Sequence, residues 1–163
     1  MLRWARIVLG IVGLLGLPVV SLAASPHFVQ ESASVSSSGD LACHFKVAGL
    51  GDSESILMTC SADAVANYAC FNKGGNHPQA SNKEAVAGPV SGSDTFTSGK
   101  NGAVVGDLAL HPPPTTLDCP GNQVVRLCDV TYTTVALSAD PASGPAFDAD
   151  VPGTFDRVLL SCF

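Results

Sequence analysis

The sequence predicts an all-β chain, folded as an immunoglobulin-like antiparallel β-sandwich with Greek-key connections and stabilised by disulfides. Three observations carry that expectation. Beyond residue 24 the chain runs in short apolar or alternating stretches cut by Gly, Pro and Asn, with almost no helical period. His111-Pro112-Pro113-Pro114 interrupts it where no ladder can continue, because three residues in a row lack an N–H. Six cysteines follow a leader that directs the chain to an oxidising compartment.

The leader is read from Arg3 and Arg6, the apolar run Ile7 to Leu17, and the small-x-small ending Ser21-Leu22-Ala23. That is the layout of a secretory signal peptide. The run is short for a membrane span, which needs roughly 20 apolar residues, and no basic flank follows it. Residues 1–23 are therefore expected to be removed, leaving 24–163 as a single secreted domain. Without Arg3 and Arg6 there are six basic against fourteen acidic side chains, a net charge of −8. Such a surface repels nucleic-acid phosphates and anionic lipid, so neither nucleic acid nor, once the leader is gone, a membrane is an expected partner.

The elements follow in order. Phe28 to Ser36 reads as a first strand. Leu41 to Val47 is the clearest, with Leu41, Cys43, Phe45 and Val47 on one face and Ala42, His44 and Lys46 on the other. Gly49-Leu50-Gly51-Asp52 then reverses the chain into Ser55 to Ala62. Ala64 to Phe71, Glu84 to Val90, Thr95 to Thr97 and Ala103 to Leu110 read as further short strands, the last two joined by the hairpin turn Ser98-Gly99-Lys100-Asn101-Gly102. The prolines cross to the other sheet, Gln123 to Leu137 is the longest β stretch, Asp140 to Pro152 a loop, and Thr154 to Phe163 a closing strand.

Six thiols permit fifteen pairings. A hairpin across residues 49–52 brings Cys43 beside Cys60. Cys162, next to the chain end, needs an anchor, for which Cys128 in the long strand is suited, leaving Cys70 for Cys119. Zinc would want C-x₂-C spacings, and the closest here are C-x₉-C and C-x₈-C.

The stretch from Asn72 to Lys83 is the main candidate binding loop. Asn72, Lys73, Asn76, His77 and Gln79 gather amides, a cation and an imidazole just after Tyr68 and Phe71, and planar amides beside an aromatic face suit sugar hydroxyls. The ordinary reading of the same residues is an Ω-like loop whose amides bond its own backbone. His27, His44, His77 and His111 have no partner two or four residues away, and His27 fits a copper terminus only if cleavage follows Pro26; no metal site and no cofactor are predicted. Asp148, Asp150 and Asp156 lie close in sequence but lack a calcium-loop pattern, and solvated acids are their default. No G-x-S-x-G, H-E-x-x-H or phosphate-loop motif occurs, and no thiol is left over as a nucleophile.

Gly39-Asp40-Leu41 with Phe45-Lys46 and Gly49-Leu50-Gly51, then Ala69-Cys70-Phe71-Asn72-Lys73-Gly74-Gly75-Asn76 and Ala80-Ser81-Asn82-Lys83, resemble a family of small secreted proteins of fungi and filamentous bacteria with no assigned activity. The resemblance runs on to Val130-Thr131-Tyr132. It implies a secreted β domain and transfers no functional residue. The expected function is a non-catalytic extracellular module, binding or structural, with a carbohydrate or cell-surface partner. The alternatives are a secreted hydrolase or copper-dependent enzyme, and a protease inhibitor presenting a disulfide-braced loop.

Overall fold

The computed structural model of the chain describes residues 25–75 and 82–162. The predicted leader, and Asn76, His77 and Gln79 of the candidate loop, lie outside them. Eight strands form two antiparallel sheets: β1 (His27–Val35), β2 (Leu41–Ala48), β3 (Ser55–Phe71), β4 (Lys83–Thr97), β5 (Val104–Leu110), β6 (Val124–Pro141), β7 (Phe147–Val151) and β8 (Phe155–Val158). The smaller sheet has the order β1-β2-β5. The larger runs β4-β3-β6-β7, with β8 beside β6 next to the stretch that β7 covers. No helix occurs among the described residues. The all-β, disulfide-braced sandwich expected from the sequence is what forms.

Leu41, Cys43, Phe45 and Val47 point inward from β2 as their alternation requires, and all four are buried. They meet Ile56, Met58 and Cys60 of β3 and Val130, Tyr132, Val135 and Leu137 of β6 in one core. A smaller cluster at the other end holds Ala69, Phe71, Cys128 and Cys162. Gly106 has a specific job between the sheets. A Cβ there would stand 2.6 Å from Phe96 Cε1 and 2.8 Å from Phe45 Cζ, and its absence lets those two rings pack edge-to-face at 5.0 Å.

Two expected hairpins do not form. β2 and β3 belong to different sheets, so residues 49–54 arch across the sandwich instead of turning back within a sheet. Residues 98–103 do the same between β4 and β5. The two arches brace each other: Leu50 N–H donates to Gly102 O (3.0 Å), Ser98 N–H to Glu54 O (2.8 Å), and the buried Ser98 hydroxyl to Gly51 O (2.7 Å). Leu50 is thereby buried between the sheets, which a solvated hairpin tip would not achieve. The proline run does cross from the smaller sheet to the larger, as expected.

Strand lengths also differ from the sequence reading. β3 runs unbroken through Asp63, and the extra residue of the bulge lies in β6, where Thr133–Ala136 faces Ser61–Asp63. Opposite it, Thr134 adopts φ 50° and its hydroxyl donates to the Asp63 carboxylate at 2.5 Å. β4 continues through Pro89, which an edge strand tolerates because its outer side has no ladder to complete. The expected loop 140–152 contains β7, held by pairing with Val135–Ala139, and the closing strand β8 ends at Val158.

All three disulfides match the expected pairing. Cys43–Cys60 has Cα atoms 6.5 Å apart, Cys70–Cys119 5.6 Å and Cys128–Cys162 5.9 Å. The first differs in kind from the expectation, since it joins the two sheets through the core and is not a bond between hairpin neighbours.

Candidate functional site

The expected loop site is placed only in part. Asn72 and Lys73 are exposed, and the Asn72 side-chain oxygen accepts the Gly74 N–H at 3.1 Å in a local turn. Tyr68 does not present a free aromatic face there. It is half-buried against the core, and its hydroxyl donates to the Pro113 carbonyl at 2.8 Å. Burial, with the Glu84 charge second, pushes that phenol above the ordinary tyrosine range. Phe71 is buried in the second cluster. Lys83, at the loop's far end, donates its ammonium to the Cys162 carbonyl, tying the loop base to the chain end.

A more organised array stands on the outer face of the smaller sheet. β2 and β5 pair with Ala42 opposite Ala109, His44 opposite Asp107, and Lys46 opposite Val105. One step beyond the ladder, Asp40 meets His111. Because side chains alternate, positions 40, 42, 44 and 46 share the outward face. Two His–Asp pairs therefore bracket a floor of two alanines, in opposite orientations: His44 Nδ1 bonds Asp107 Oδ1, and His111 Nδ1 bonds Asp40 Oδ1 at 2.7 Å. β1 extends the rows, with Ser32 opposite His44 and Gln30 opposite Lys46. Gln30, Ser32, His44, Lys46 and Asp107 line a groove of about 570 Å³ across all three strands.

Asp40 is the best-supported charge of this face. The Ser38 hydroxyl, donating at 2.6 Å, is the chief influence holding its carboxyl below the ordinary range; partial burial opposes it, and His111 adds to the lowering by hydrogen bond and charge.

No protein-family model matches the chain, and no curated protein does. The solved structure of the sporulation control protein Spo0M from Bacillus subtilis aligns over 78% of this chain and 46% of its own, at 10% identity and a TM-score of 0.31. The chain thus spans under half the length of that protein, and a likeness so slight does not bear on function.

The remaining sequence candidates do not assemble. Asp148 and Asp150 are exposed on β7 and Asp156 on β8, and among the described residues no three His, Cys, Asp or Glu side chains are grouped to hold a metal ion. His27 is exposed and bonds the Ser25 carbonyl at 2.9 Å. The outward row of Ala42, His44 and Lys46 was visible in the alternation of β2. What the sequence did not offer was its partner, since His44 and Asp107 are 63 residues apart.

Proposed function

We propose that this protein is a secreted, non-catalytic binding module that takes a carbohydrate chain on the outer face of its β1-β2-β5 sheet. Three disulfides in a small β protein support an extracellular setting. The observation that carries the ligand class is the groove in which Gln30, Ser32, His44, Lys46 and Asp107 stand around Phe45, Val105 and Gly106. It sets donors and acceptors side by side on a rigid sheet, and a run of sugar hydroxyls needs both. The cross-strand bond between His44 and Asp107 fixes those two side chains before a ligand arrives, which lowers the entropic cost of binding.

The row Ser32–His44–Asp107 contains the residue types of a hydrolytic triad, and binding remains the better reading of it. Strand N–H groups lie in the plane of the sheet, so none is aimed at an oxyanion above Ser32. The ordered His44 contact is with Asp107, while Ser32 is a register neighbour of the ring.

Affinity electrophoresis through gels containing soluble cell-wall polysaccharides tests the proposal. The mature protein is expected to be retarded by at least one polymer, and the variant His44→Ala/Lys46→Ala to migrate freely in it. Asn76→Ala/His77→Ala in the 72–83 loop is expected to stay retarded. Retardation that survives the sheet variant, or is absent from every polymer, overturns the assignment.

A further inference from the structure

Residues 24–163 contain two arginines, Arg126 and Arg157, and both line the same cleft. Against fourteen acidic side chains in the chain, that convergence is not what scattered surface charge would produce. Arg126 lies near the start of β6, and Arg157 is on β8, the short strand at the sheet edge. Both are exposed, and among the described residues neither guanidinium has a carboxylate within 4 Å. Arg157 reaches the Val35 carbonyl only at 3.5 Å, leaving most of its donor fork unused.

Besides the two arginines and Ser37, the lining is aliphatic. Leu127, Val158, Leu159 and Leu160 form its walls, Val158 with 71% of its surface exposed, around a volume of about 420 Å³. The walls are held firmly. Leu159 and Leu160 both donate their N–H groups to the Cys128 carbonyl, at 2.7 and 2.9 Å, and Cys128–Cys162 bonds the two wall segments covalently. Gly39, at φ 94°, lets the β1–β2 turn close over Leu127, where a Cβ would come within 2.6 Å.

We infer that this cleft binds a small amphiphilic carboxylate, its head between Arg126 and Arg157 and its apolar body along Leu127 and Val158–Leu160. Two free guanidiniums select an oxyanion and match a carboxylate in fork geometry. The aliphatic walls, without an aromatic platform or amide side chains, select a hydrocarbon body over a sugar. The volume suits a small molecule. The protein's net negative charge disfavours a densely charged polyanion or an anionic bilayer, both of which would meet repulsion from the rest of the surface. The site shares no lining residue with the sheet face proposed above, so the two proposals stand or fall separately.

The test is amide chemical-shift titration of the mature protein with octanoate, 1-octanol, sodium sulfate and phosphatidylglycerol vesicles. Octanoate is expected to shift residues 126–127 and 157–160 saturably. Octanol and sulfate, each offering half of the ligand, should bind more weakly, and the vesicles should not compete. Arg126→Gln and Arg157→Gln are each expected to weaken octanoate about tenfold or more, the usual scale for a lost charge-assisted bond, while Lys73→Gln leaves it unchanged. Both arginines are exposed, and an undisturbed spectrum elsewhere shows that the variants fold. Equal octanoate binding by the arginine variants overturns the inference. So does sulfate binding as tightly as octanoate, which marks a bare anion site, or binding of vesicles without octanoate, which marks a membrane contact.

Discussion

The Tyr132 hydroxyl, on a side chain with no exposed surface, donates a 2.8 Å hydrogen bond to the carbonyl of Gly39 in the turn between β1 and β2. The bond ties the larger sheet to the smaller through the core. Tyr132→Phe leaves the buried Gly39 carbonyl without this donor and is expected to cost about 1–3 kcal/mol, read as a lower midpoint in thermal or urea unfolding.

Tyr132 and Tyr68 together set the alkaline limit. Burial is the main reason the Tyr132 phenol ionises well above its ordinary value, with the Asp40 charge next; burial and Glu84 act likewise on Tyr68. Raised folded values mean that the stability these phenols contribute is complete below about pH 10, the unfolded value, and is lost as pH climbs beyond it. Absorbance at 295 nm is expected to show tyrosinate appearing in the native protein only above the ordinary tyrosine range, with Tyr132 the later of the two to ionise. A native titration at the ordinary tyrosine value would contradict this.

Gly106→Ala drives a methyl group into the Phe45–Phe96 contact. Overpacking of a stiff aromatic pair is expected to cost about 1–3 kcal/mol. Phe96→Leu in the same chain should recover part of that loss by giving the methyl room. A neutral Gly106→Ala would show that the rings are looser than their positions indicate.

The Ser38 hydroxyl bond lowers the folded ionisation of Asp40, so its stabilisation is present above the unfolded carboxylate value and lost as pH falls through the lower folded value. Ser38→Ala is therefore expected to melt below the native protein at pH 6, with the gap closing as pH drops below about 4. A gap undiminished at low pH would assign the effect to packing.

The three disulfides close loops of different length, spanning 17, 34 and 49 residues for Cys43–Cys60, Cys128–Cys162 and Cys70–Cys119. Chain entropy alone gives about 3 kcal/mol for the shortest and about 4 for the longest. Replacing both cysteines of Cys43–Cys60 by Ser is nonetheless expected to be the most damaging, because that pair joins the two sheets within the main core, where two hydroxyls would take its place. Urea midpoints of the three double variants give the ranking.

How far the sequence foretold this depended on whether a feature is local. The alternation of Leu41 to Val47 is set by the period of one strand, and it was legible. The arches at 49–54 and 98–103 carry the same Gly and Asn signals as hairpin turns; only the contact between Leu50 and Gly102 makes them crossings. Asp63 looked like the end of a strand because its compensation, a bulge with Thr134, comes from 71 residues away. The Cys43–Cys60 partnership was anticipated from a hairpin geometry that does not form, since both cysteines face inward whichever sheet they occupy. At the site, the outward His44 and Lys46 could be read from β2, whereas the placing of Asp107 beside His44, and of Arg126 and Arg157 in one cleft, arises only once the sheets assemble.

Peptide mapping of the unreduced protein tests the paired core most directly, because β2 and β3 must carry Cys43 and Cys60 to adjoining inward positions. The account predicts three cross-linked pairs, 43–60, 70–119 and 128–162, and no alkylatable thiol. A free thiol at Cys43 or Cys60, or either one joined to another partner, would contradict it.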